Sequence, residues 1–537
     1  MPPTQTDSET SHSITEQAIY RDLPAAQTWV LLISIAIVAL CGIVYELIIG
    51  TVSSYLMGNS VYQFSLTIGF FMFSMGIGSY LSKFIANRLV QNFIYVEMTL
   101  AVVGGICSIS LFLTFPFTAT LYTAVMFAFI LTIGTLVGLE IPLLTRILSA
   151  AAGTRKSIAN VMSLDYIGAL IGSVAFPLLL LPSLGLVASS FAIGLINIFI
   201  AFLNIVWLRN HLKNPRRLII LTGAIFILLA GLTLMGSRLT AFAQHHLYFD
   251  EIIWQKHTPY QNLVVTRDIP LRDLRLFIDG NLQFSQRDEY RYHESLVHPL
   301  MNWTSVPVEQ VLVLGGGDGL AVRELLKYPN IKNIDLVDID PAMTNLGKHF
   351  APLVKINKGS LSDPKVHIHN QDAFVYINKT SVRYDRIILD FPDPHNEAIS
   401  KLYSVEFFSM LSHHMSDDAA LITQSSSPFF SRRTFWSIKE TLAAVFPETS
   451  SFHVTIPSFG DWGFHIASTK KGGGLIGLPS DLKFLSQERF AAAQVFGRDV
   501  EQVGNPIINS IFEPKLYQIY LDDLLNGPLA TKQYQTN

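Results

Sequence analysis

Seven long apolar runs occupy the first half of the chain and constrain its fold more than any other feature. A helix needs about 20 mostly apolar residues to cross the hydrocarbon of a bilayer. The runs lie at residues 29–50 and near 64–82, 93–115, 117–139, 164–183, 187–208 and 218–236. We therefore predict a multi-pass α-helical membrane domain of about seven helices over residues 28–240, after a disordered polar tail at residues 1–27.

Three acidic residues, Glu46, Glu140 and Asp165, lie within or at the edge of these runs. A carboxyl group inside a membrane is costly, which makes each of them a functional candidate. The alternative is that each carboxyl faces the interior of the helix bundle, where it is hydrogen-bonded or protonated. We favour the alternative.

Charged residues return after Arg238, although the whole chain has a net charge of only -3. A balance so close to neutral gives no reason to expect a nucleic-acid partner. The two cysteines, Cys41 and Cys107, both lie in apolar runs. This number and placement exclude a disulfide framework and a cysteine-rich metal site.

Strand-like and helical segments alternate after residue 300. Five short apolar segments read as strands, within residues 308–328, 334–340, 365–377, 384–395 and 419–426. Alternation of this kind predicts a parallel, doubly wound sheet, hence a Rossmann-like α/β domain of the S-adenosylmethionine-methyltransferase type over residues 301–537. A small β-hairpin subdomain, residues 241–300, would precede it as a substrate wall.

Six aspartates fall at or just after the ends of these strands. Ligands of doubly wound sheets bind at that edge. The sequence therefore predicts an acidic rim formed by Asp318, Asp338, Asp340, Asp372, Asp390 and Asp393.

The glycine-rich segment GGGDG, residues 315–319, follows the first of these strands. Glycines let the backbone approach a nucleotide-like ligand, and the next helix offers free N–H groups. The segment alone is a weak signal, because dinucleotide and S-adenosyl-cofactor folds share it. Asp338 lies where such folds bind ribose hydroxyls, and Asp372 is placed to accept a hydrogen bond from an adenine amino group.

The rim carries no evident basic residues, so a cationic ligand suits it better than a phosphate-rich one. Asp318 would repel a carboxylate on the ligand and hold an ammonium group. This preference favours decarboxylated S-adenosylmethionine over S-adenosylmethionine itself.

Six motifs in order, TPYQ, IDGNLQFSQRDEYRYHE, VLVLGGGDG, VDID, QDAF and LDFPDP, resemble those of polyamine aminopropyltransferases (spermidine synthases). The resemblance covers roughly residues 245–510, and the apolar runs ahead of it make the chain most similar to the membrane-bound bacterial form. It implies transfer of the aminopropyl group from decarboxylated S-adenosylmethionine to putrescine, giving spermidine and methylthioadenosine. It also implies no prosthetic group, no metal and a possible homodimer.

The resemblance assigns five residues to the nucleoside donor. It implies that Gln261 contacts the nucleoside product and that Asp318 holds the aminopropyl amine. It implies that Asp338 binds the ribose, and that Asp372 and Ala373 contact the adenine.

Four further residues are assigned to the acceptor amine. Tyr292 and His293 would line the polyamine path, Asp390 would accept the proton of the attacking amine, and Asp393 would help to bind the diamine. The alternatives are that the two aspartates cap a loop before the helix near residue 402, and that His293 is a packing histidine.

Two segments depart from the family pattern. Phe459 stands where the soluble enzymes usually have a tyrosine near the attacking amine, and Asp461 or Trp462 could compensate. Polar residues also replace the usual proline-containing loop at residues 393–403. Asp288 and Glu289 are expected on a solvated or loop-pinning surface, without a catalytic role.

Two other functions are open at this point. One is a membrane-tethered methyltransferase on the same fold, against which Asp318 argues because it would repel the cofactor carboxylate. The other is a polyamine sensor or transporter that uses the acids of the apolar runs, against which the retention of Asp390 argues.

The side of the membrane follows from two conflicting arguments. Lys and Arg gather in alternate loops, at residues 83–88, 146–156 and 209–217. Cytoplasmic loops carry an excess of Lys and Arg, so this rule places the N-terminus in the cytoplasm. Seven spans would then leave the second half of the chain outside, whereas decarboxylated S-adenosylmethionine is cytoplasmic. We expect a multi-pass protein of the cell membrane, with the catalytic domain on the cytoplasmic face.

Overall fold

The structure, a computed structural model, describes residues 23–526 except residues 58, 59, 116, 237, 240–247, 249, 305, 473, 474, 476 and 503. The chain divides into two compact units, Met1–Phe249 and Asp250–Asn537. We call them the helical unit and the catalytic unit and describe each by itself.

Each predicted apolar run overlaps a long helix of the helical unit. Within the described residues these helices are α1 (Ala25–Met57), α2 (Ser60–Leu81), α3 (Leu89–Thr114), α4 (Ala119–Ala152), α5 (Thr154–Ala175), α6 (Leu181–Trp207) and α7 (Pro215–Leu234). A five-residue π-helical turn, Phe176–Leu180, joins α5 to α6, and Gly185, with φ 72°, interrupts the helical backbone near the start of α6.

Six helical segments in the part of the chain that the structure describes are long and apolar enough to cross a membrane. The number differs from the seven predicted runs because Thr154–Trp207 is one continuous segment of 54 residues. Glycines allow the helices to approach closely: a Cβ at Gly78 would lie 2.0 Å from the carbonyl oxygen of Thr135, and one at Gly168 would lie 1.9 Å from that of Ala36.

The catalytic unit begins with a four-stranded antiparallel sheet, in the order β1-β2-β3-β4. The predicted small β-hairpin subdomain is therefore larger than a hairpin. A two-residue turn, Asp279 and Gly280, joins the last two strands with φ of 49° and 81°, the left-handed pair that a tight hairpin turn requires. The strands are β1 (Glu251–His257), β2 (Asn262–Asp268), β3 (Asp273–Ile278) and β4 (Asn281–Ser285).

Helix α8 (Glu289–Met301) leads into a seven-stranded sheet whose strands alternate with helices. The strands are β5 (Gln310–Gly315), β6 (Asn333–Asp338), β7 (Val366–Asn370), β8 (Tyr384–Asp390), β9 (Met415–Gln424), β10 (Glu448–Ile456) and β11 (Gly460–Ser468). The helices are α9 (Leu320–Leu325), α10 (Pro341–His349), α11 (Ala351–Asn357), α12 (Ala373–Lys379), α13 (Glu397–Ser400), α14 (Val405–His413), α15 (Arg432–Ala443), α16 (Gln487–Ala493) and α17 (Leu516–Asn526).

The sheet is mixed, in the order β10-β11-β9-β8-β5-β6-β7. Its five predicted strands, β5 to β9, are parallel. The prediction of a wholly parallel sheet is wrong at one edge, because β10 and β11 form an antiparallel hairpin that pairs with β9. Only three residues separate these two strands, too few for the crossover that a parallel pair needs.

The strand order reverses direction between β5 and β8, which positions the ligand site. From β5 the chain runs outward to β6 and β7, then returns to β8 on the other side. Such a switch point opens a crevice at the carboxyl ends of the two central strands. Gly315 and Asp390, the last residues of β5 and β8, pair in register at the mouth of that crevice.

Candidate active site

A cavity of about 430 Å³ lies at the carboxyl ends of β5, β6 and β8, with Ile278 and Gln283 of the four-stranded sheet on its wall. The structure brings the nine predicted site residues together around it: Gln261, Tyr292, His293, Asp318, Asp338, Asp372, Ala373, Asp390 and Asp393. Among the described residues, no group of three or more His, Cys, Asp or Glu could hold a metal ion.

The glycine-rich loop fits tightly between the ends of two strands. Gly315 has a φ of 83°, and a Cβ there would lie 2.2 Å from the carbonyl oxygen of Asp390. A Cβ at Gly317 would lie 2.4 Å from Oδ2 of Asp338. Only glycine therefore allows the loop to approach both aspartates.

Asp318 and Asp338 form the buried inner wall of the cavity, each with 9% of its surface exposed. Oδ1 of Asp318 accepts a hydrogen bond from the backbone N–H of Leu320 at 2.9 Å. Asp338 accepts from the N–H groups of Gly317 at 3.0 Å and Asp340 at 2.9 Å. Burial raises the pKa of Asp318 to about 6 and that of Asp338 to about 7. Both side chains can therefore change protonation near neutral pH.

Asp340, a predicted member of the rim, connects the four-stranded sheet to the rim. Its Oδ2 accepts hydrogen bonds from Oγ1 of Thr258 at 2.8 Å and Nε2 of Gln261 at 3.0 Å. Its Oδ1 accepts from the N–H of Ala342 at 2.9 Å and so caps α10. This carboxylate positions Gln261 at the cavity.

Asp372 has a basic partner that the sequence analysis did not anticipate. Nζ of Lys401 lies 2.8 Å from Oδ2 of Asp372, while Oδ1 accepts from the N–H of Phe374 at 2.7 Å. Burial would raise the pKa of Asp372, but the Lys401 ammonium holds it below its ordinary value. The expectation of a rim without basic residues is therefore wrong here. The distance of 29 residues along the chain hid this pair.

Asp390 faces the cavity with a fixed donor on one oxygen. The hydroxyl of Tyr292 donates a hydrogen bond to its Oδ1 at 2.6 Å. Burial raises the pKa of Asp390, while the nearby His293 and the hydrogen bond from Tyr292 act in the opposite direction. Oδ2 of Asp390 lies beside Gly316, where a Cβ would be 2.9 Å away.

His293 is anchored through a buried ion pair. Its Nδ1 lies 2.9 Å from Oε2 of Glu289, and Arg323 holds the same carboxylate with two hydrogen bonds of 2.8 and 2.9 Å. Burial would lower the pKa of His293, but Glu289 first, and then Asp318 and Asp390, raise it. The imidazole thus lies close to two acids of the rim.

The expected solvated position of Asp288 and Glu289 is wrong. They are 6% and 5% exposed, because each carboxylate has internal donors. Asp288 accepts hydrogen bonds from the N–H and the hydroxyl of Ser458 at 2.7 and 2.8 Å, which agrees with the loop-pinning alternative. Glu289 supports His293 and pairs with Arg323.

Asp393 is held by three donors. The hydroxyl of Tyr520 donates to its Oδ2 at 2.9 Å, and Gln424 and Ser426 donate at 3.3 Å each. Burial raises the pKa of Asp393. The alternative role in helix capping is taken by Asn396, which accepts from the N–H of Ile399.

Phe459 contributes an aromatic ring without a hydroxyl to the cavity wall near Asp390. The ring of Phe459 contacts that of Tyr292 edge to face, at 6.1 Å between centroids. Asp461 forms an ion pair with His453 at 2.7 Å and does not line the cavity. Trp462 does line it, and its Nε1–H has no hydrogen-bond partner among the described residues. Of the two residues expected to compensate for Phe459, Trp462 therefore lines the cavity and Asp461 does not.

Comparisons with known proteins agree on one family. Residues 289–474 match the spermine/spermidine synthase domain. The polyamine aminopropyltransferase of Leptospira interrogans is 41% identical over 495 residues, which cover 91% of this chain and 97% of that protein. The polyamine aminopropyltransferase of Oceanobacillus iheyensis is 38% identical over 93% of this chain and 98% of that protein. That of Mycobacterium tuberculosis H37Rv is 36% identical over 88% of this chain and 92% of that protein.

Two solved structures are also similar to part of the chain. One is spermidine synthase in complex with the transition-state analogue AdoDATO, with 23% identity, a TM-score of 0.42 and coverage of 46% of this chain and 86% of that one. The other is spermidine synthase from Thermotoga maritima, with 23% identity, a TM-score of 0.42 and coverage of 46% and 85%.

Proposed function

The chain belongs to the polyamine aminopropyltransferase family, and on that premise we propose that it transfers the aminopropyl group from decarboxylated S-adenosylmethionine to putrescine. It is an aminopropyltransferase with the sulfonium nucleoside as co-substrate. Spermidine and 5'-methylthioadenosine are the proposed products. Family membership sets aside the methyltransferase and sensor alternatives.

The observation that carries the proposal is a cavity with separate acidic groups for the donor and for the acceptor. For the donor, Asp338 keeps lone pairs beyond its two backbone hydrogen bonds for the ribose hydroxyls, and Gln261 and Ala373 line the nucleoside end. Asp318 faces the aminopropyl ammonium, where a carboxylate on the ligand would meet a like charge. Juxtaposed like charges cost several kcal/mol, so the site discriminates against S-adenosylmethionine.

Asp372 contributes to the adenine end in a different way from the one expected. Its two oxygens already accept from Lys401 and from the backbone of α12, and a carboxylate has about four lone-pair sites in all. One of the remaining lone pairs is available to an adenine amino group. Lys401 keeps this carboxyl ionised, so that it can only accept hydrogen bonds.

Asp390 and Asp393 serve the acceptor diamine. An alkyl ammonium resembles lysine, with a reference pKa of about 10.4, and has no lone pair until it loses a proton. Asp390 takes that proton, with Tyr292 fixing its other oxygen, and the nitrogen lone pair attacks the methylene carbon beside the sulfonium. The carbon–sulfur bond breaks with its electron pair going to sulfur, which leaves a neutral thioether. Asp393, held in place by Tyr520 and Gln424, accepts hydrogen bonds from the distal ammonium.

Product analysis with the full-length protein in detergent tests the proposed reaction. The protein is incubated with decarboxylated S-adenosylmethionine and putrescine, and products are identified by mass. Equal amounts of spermidine and methylthioadenosine are expected. Because Phe459 replaces a tyrosine, cadaverine and spermidine are included as competing acceptors. Preference for either over putrescine would refute the proposed acceptor, and methylated products would refute aminopropyl transfer.

We further propose that the helical unit spans the cell membrane, with the catalytic unit on the cytoplasmic face. Support comes from the large apolar side chains on the outside of the helical unit, such as Phe73, Leu178 and Ile227, which are 62%, 69% and 73% exposed. Water-soluble proteins rarely expose so much apolar surface. A phosphatase reporter fused after Asn537 is expected to be inactive and a fluorescent-protein fusion to fluoresce; an active phosphatase would contradict this topology.

A further inference from the structure

The interior of the helical unit contains a polar cluster that aminopropyl transfer does not use. Its four side chains come from four different helices: Tyr45 from α1, Glu97 from α3, Glu140 from α4 and Asn197 from α6. Their exposed fractions are 0%, 0%, 1% and 0%. Glu97 was missed by the sequence analysis, and Glu46, on the same helix as Tyr45, is not one of the four.

The carboxyl groups of Glu97 and Glu140 lie within hydrogen-bonding distance of each other. None of their four oxygens accepts a hydrogen bond from any other group among the described residues. No ion pair reaches them within that part of the chain either. Two facing carboxylates cannot both be ionised away from water and cations, so the pair requires a cation of some kind.

Tyr45 and Asn197 supply a second, independent observation. The Tyr45 hydroxyl lies beside the Asn197 amide and near Glu97. Neither that hydroxyl nor the two amide atoms of Asn197 makes a hydrogen bond of normal geometry among the described residues. The Tyr45 ring reaches this position because residue 104 is glycine, where a Cβ would lie 2.3 Å from Cζ of the tyrosine. Buried polar groups without partners are rare and need an explanation.

The small number of oxygens in the pair selects the cation. A proton shared between two facing carboxyl groups needs no further ligand, whereas a hard metal cation takes about six or more oxygen ligands. Within the described residues no group of three or more acidic, His or Cys side chains could hold a metal ion, and an ammonium group would need a cavity between the carboxyls. The other titratable groups that act on the pair are Cys41 and Tyr45 from α1 and Asp165 from α5. None of them supplies a positive charge.

We propose that Glu97 and Glu140 form a proton-binding site inside the helical unit, in which the two carboxyl groups share a proton. Asp165 interacts electrostatically with Glu140 and is only partly buried. Titratable carboxyls within helical spans are the usual components of proton relays. The helical unit then binds a proton in addition to any role as an anchor.

Infrared spectroscopy of the full-length protein in lipid nanodiscs tests this site. A protonated carboxyl gives a carbonyl band that ionised groups lack. At neutral pH we expect the wild-type band to contain a component that the double variant E97Q/E140Q lacks and that the matched control Glu46→Gln retains. Asp338, with its pKa of about 7, contributes a separate component in all three proteins. An unchanged band in E97Q/E140Q would overturn the proposal. So would loss of the wild-type band on adding sodium, potassium or putrescine at constant pH, because another cation would then occupy the site.

Aminopropyl transfer is the folding control, because the proposed site is independent of the reaction. E97Q/E140Q should retain transfer within about twofold of the wild type, because neither residue belongs to the catalytic unit and changes at independent sites do not couple. If the double variant does not fold, chemical labelling of the wild type still tests whether the pair is protonated. Dicyclohexylcarbodiimide reacts with protonated carboxyls in apolar surroundings, and modification mapped by mass to Glu97 or Glu140, decreasing as the pH rises, would support the site. Modification confined to Glu46 and Asp165 would contradict it.

Discussion

Both units contain buried carboxyl groups, but only those of the catalytic unit have hydrogen-bond donors around them among the described residues. At the rim of the catalytic unit each acid accepts hydrogen bonds from fixed donors: Asp318 and Asp338 from backbone N–H groups, Asp390 from Tyr292, and Asp393 from Tyr520. In the helical unit Glu97 and Glu140 have no donor among the described residues except each other.

This difference in hydrogen-bond donors determines which protonation state each set of acids favours. Donors around a carboxyl favour its ionised form, whereas burial without donors favours the protonated form. At the rim the donors oppose the effect of burial, so that Asp318, with a pKa of about 6, is mostly ionised at neutral pH beside a cavity into which cations can enter. The helical pair instead retains a proton. The predictions below test that contrast, beginning with the largest expected effect.

Asp390→Asn should reduce the transfer rate by about 10²- to 10⁴-fold, the usual contribution of a positioned general base. The amide keeps the shape and the contact with Tyr292 but cannot take a proton. Product formation under saturating substrates measures the effect. Asp417→Asn, an exposed carboxyl on β9, is the matched control. Equal rates in wild type and Asp390→Asn would remove the proton-acceptor role.

The pH profile should separate the rim from the helical pair. Burial raises the pKa of Asp318 to about 6, so this group is ionised above that pH and protonated below it. We expect kcat/KM for the donor to fall as the pH decreases through 6, by up to about tenfold for each further unit if one proton is involved. Asp318→Asn should flatten this part of the profile, and E97Q/E140Q should leave it unchanged. A profile that rises towards acid would contradict the account.

Tyr520→Phe should raise KM for the diamine by about tenfold, because a hydrogen bond to a charged group contributes roughly 1.5–3 kcal/mol and the neighbouring Gln424 and Ser426 remain. KM for the donor should stay constant. Tyr517→Phe, on the same helix α17 but bonded to Gln518, is the matched control. Equal effects of the two variants on KM for the diamine would show that Tyr520 acts only in packing.

Lys401→Met should have the smallest effect, a two- to fivefold increase of KM for the donor, since a partly exposed ion pair contributes about 0–1 kcal/mol. Without the ammonium, only the backbone N–H groups of Phe374 and Val375 oppose the effect of burial on Asp372. Its pKa then rises, so the increase of KM should be larger at low pH than at high pH. Lys470→Met removes an ion pair with Asp418 that lies outside the cavity and should change nothing. A pH-independent effect of Lys401→Met would exclude this explanation.

The sequence was a good guide to the strands and to the acids at their ends. Strand ends are local features, readable from apolar segments and the residues that follow them, and so Asp318, Asp338, Asp390 and Asp393 could be assigned to one rim. The β10–β11 hairpin was missed because its segment, with His453, Asp461 and His465, lacks the apolar continuity of the central strands.

The partners of the acids could not be predicted from the sequence. Tyr520 reaches Asp393 from 127 residues away, and Arg323 reaches Glu289 across 34 residues. No spacing rule connects such pairs, because tertiary folding alone brings them together. Glu97 was overlooked for a related reason: a single acid near the start of an apolar run gains significance only when a second helix places Glu140 opposite it.

Binding of the two possible donors tests the central claim most directly. Calorimetric titration of the full-length wild type and of Asp318→Asn with decarboxylated and with ordinary S-adenosylmethionine compares a ligand that bears an ammonium alone with one that also bears a carboxylate. The account predicts that the wild type binds the decarboxylated donor at least about 100-fold more tightly, a difference of about 2.7 kcal/mol, and that Asp318→Asn loses most of this preference. Equal binding of both donors by the wild type would contradict it.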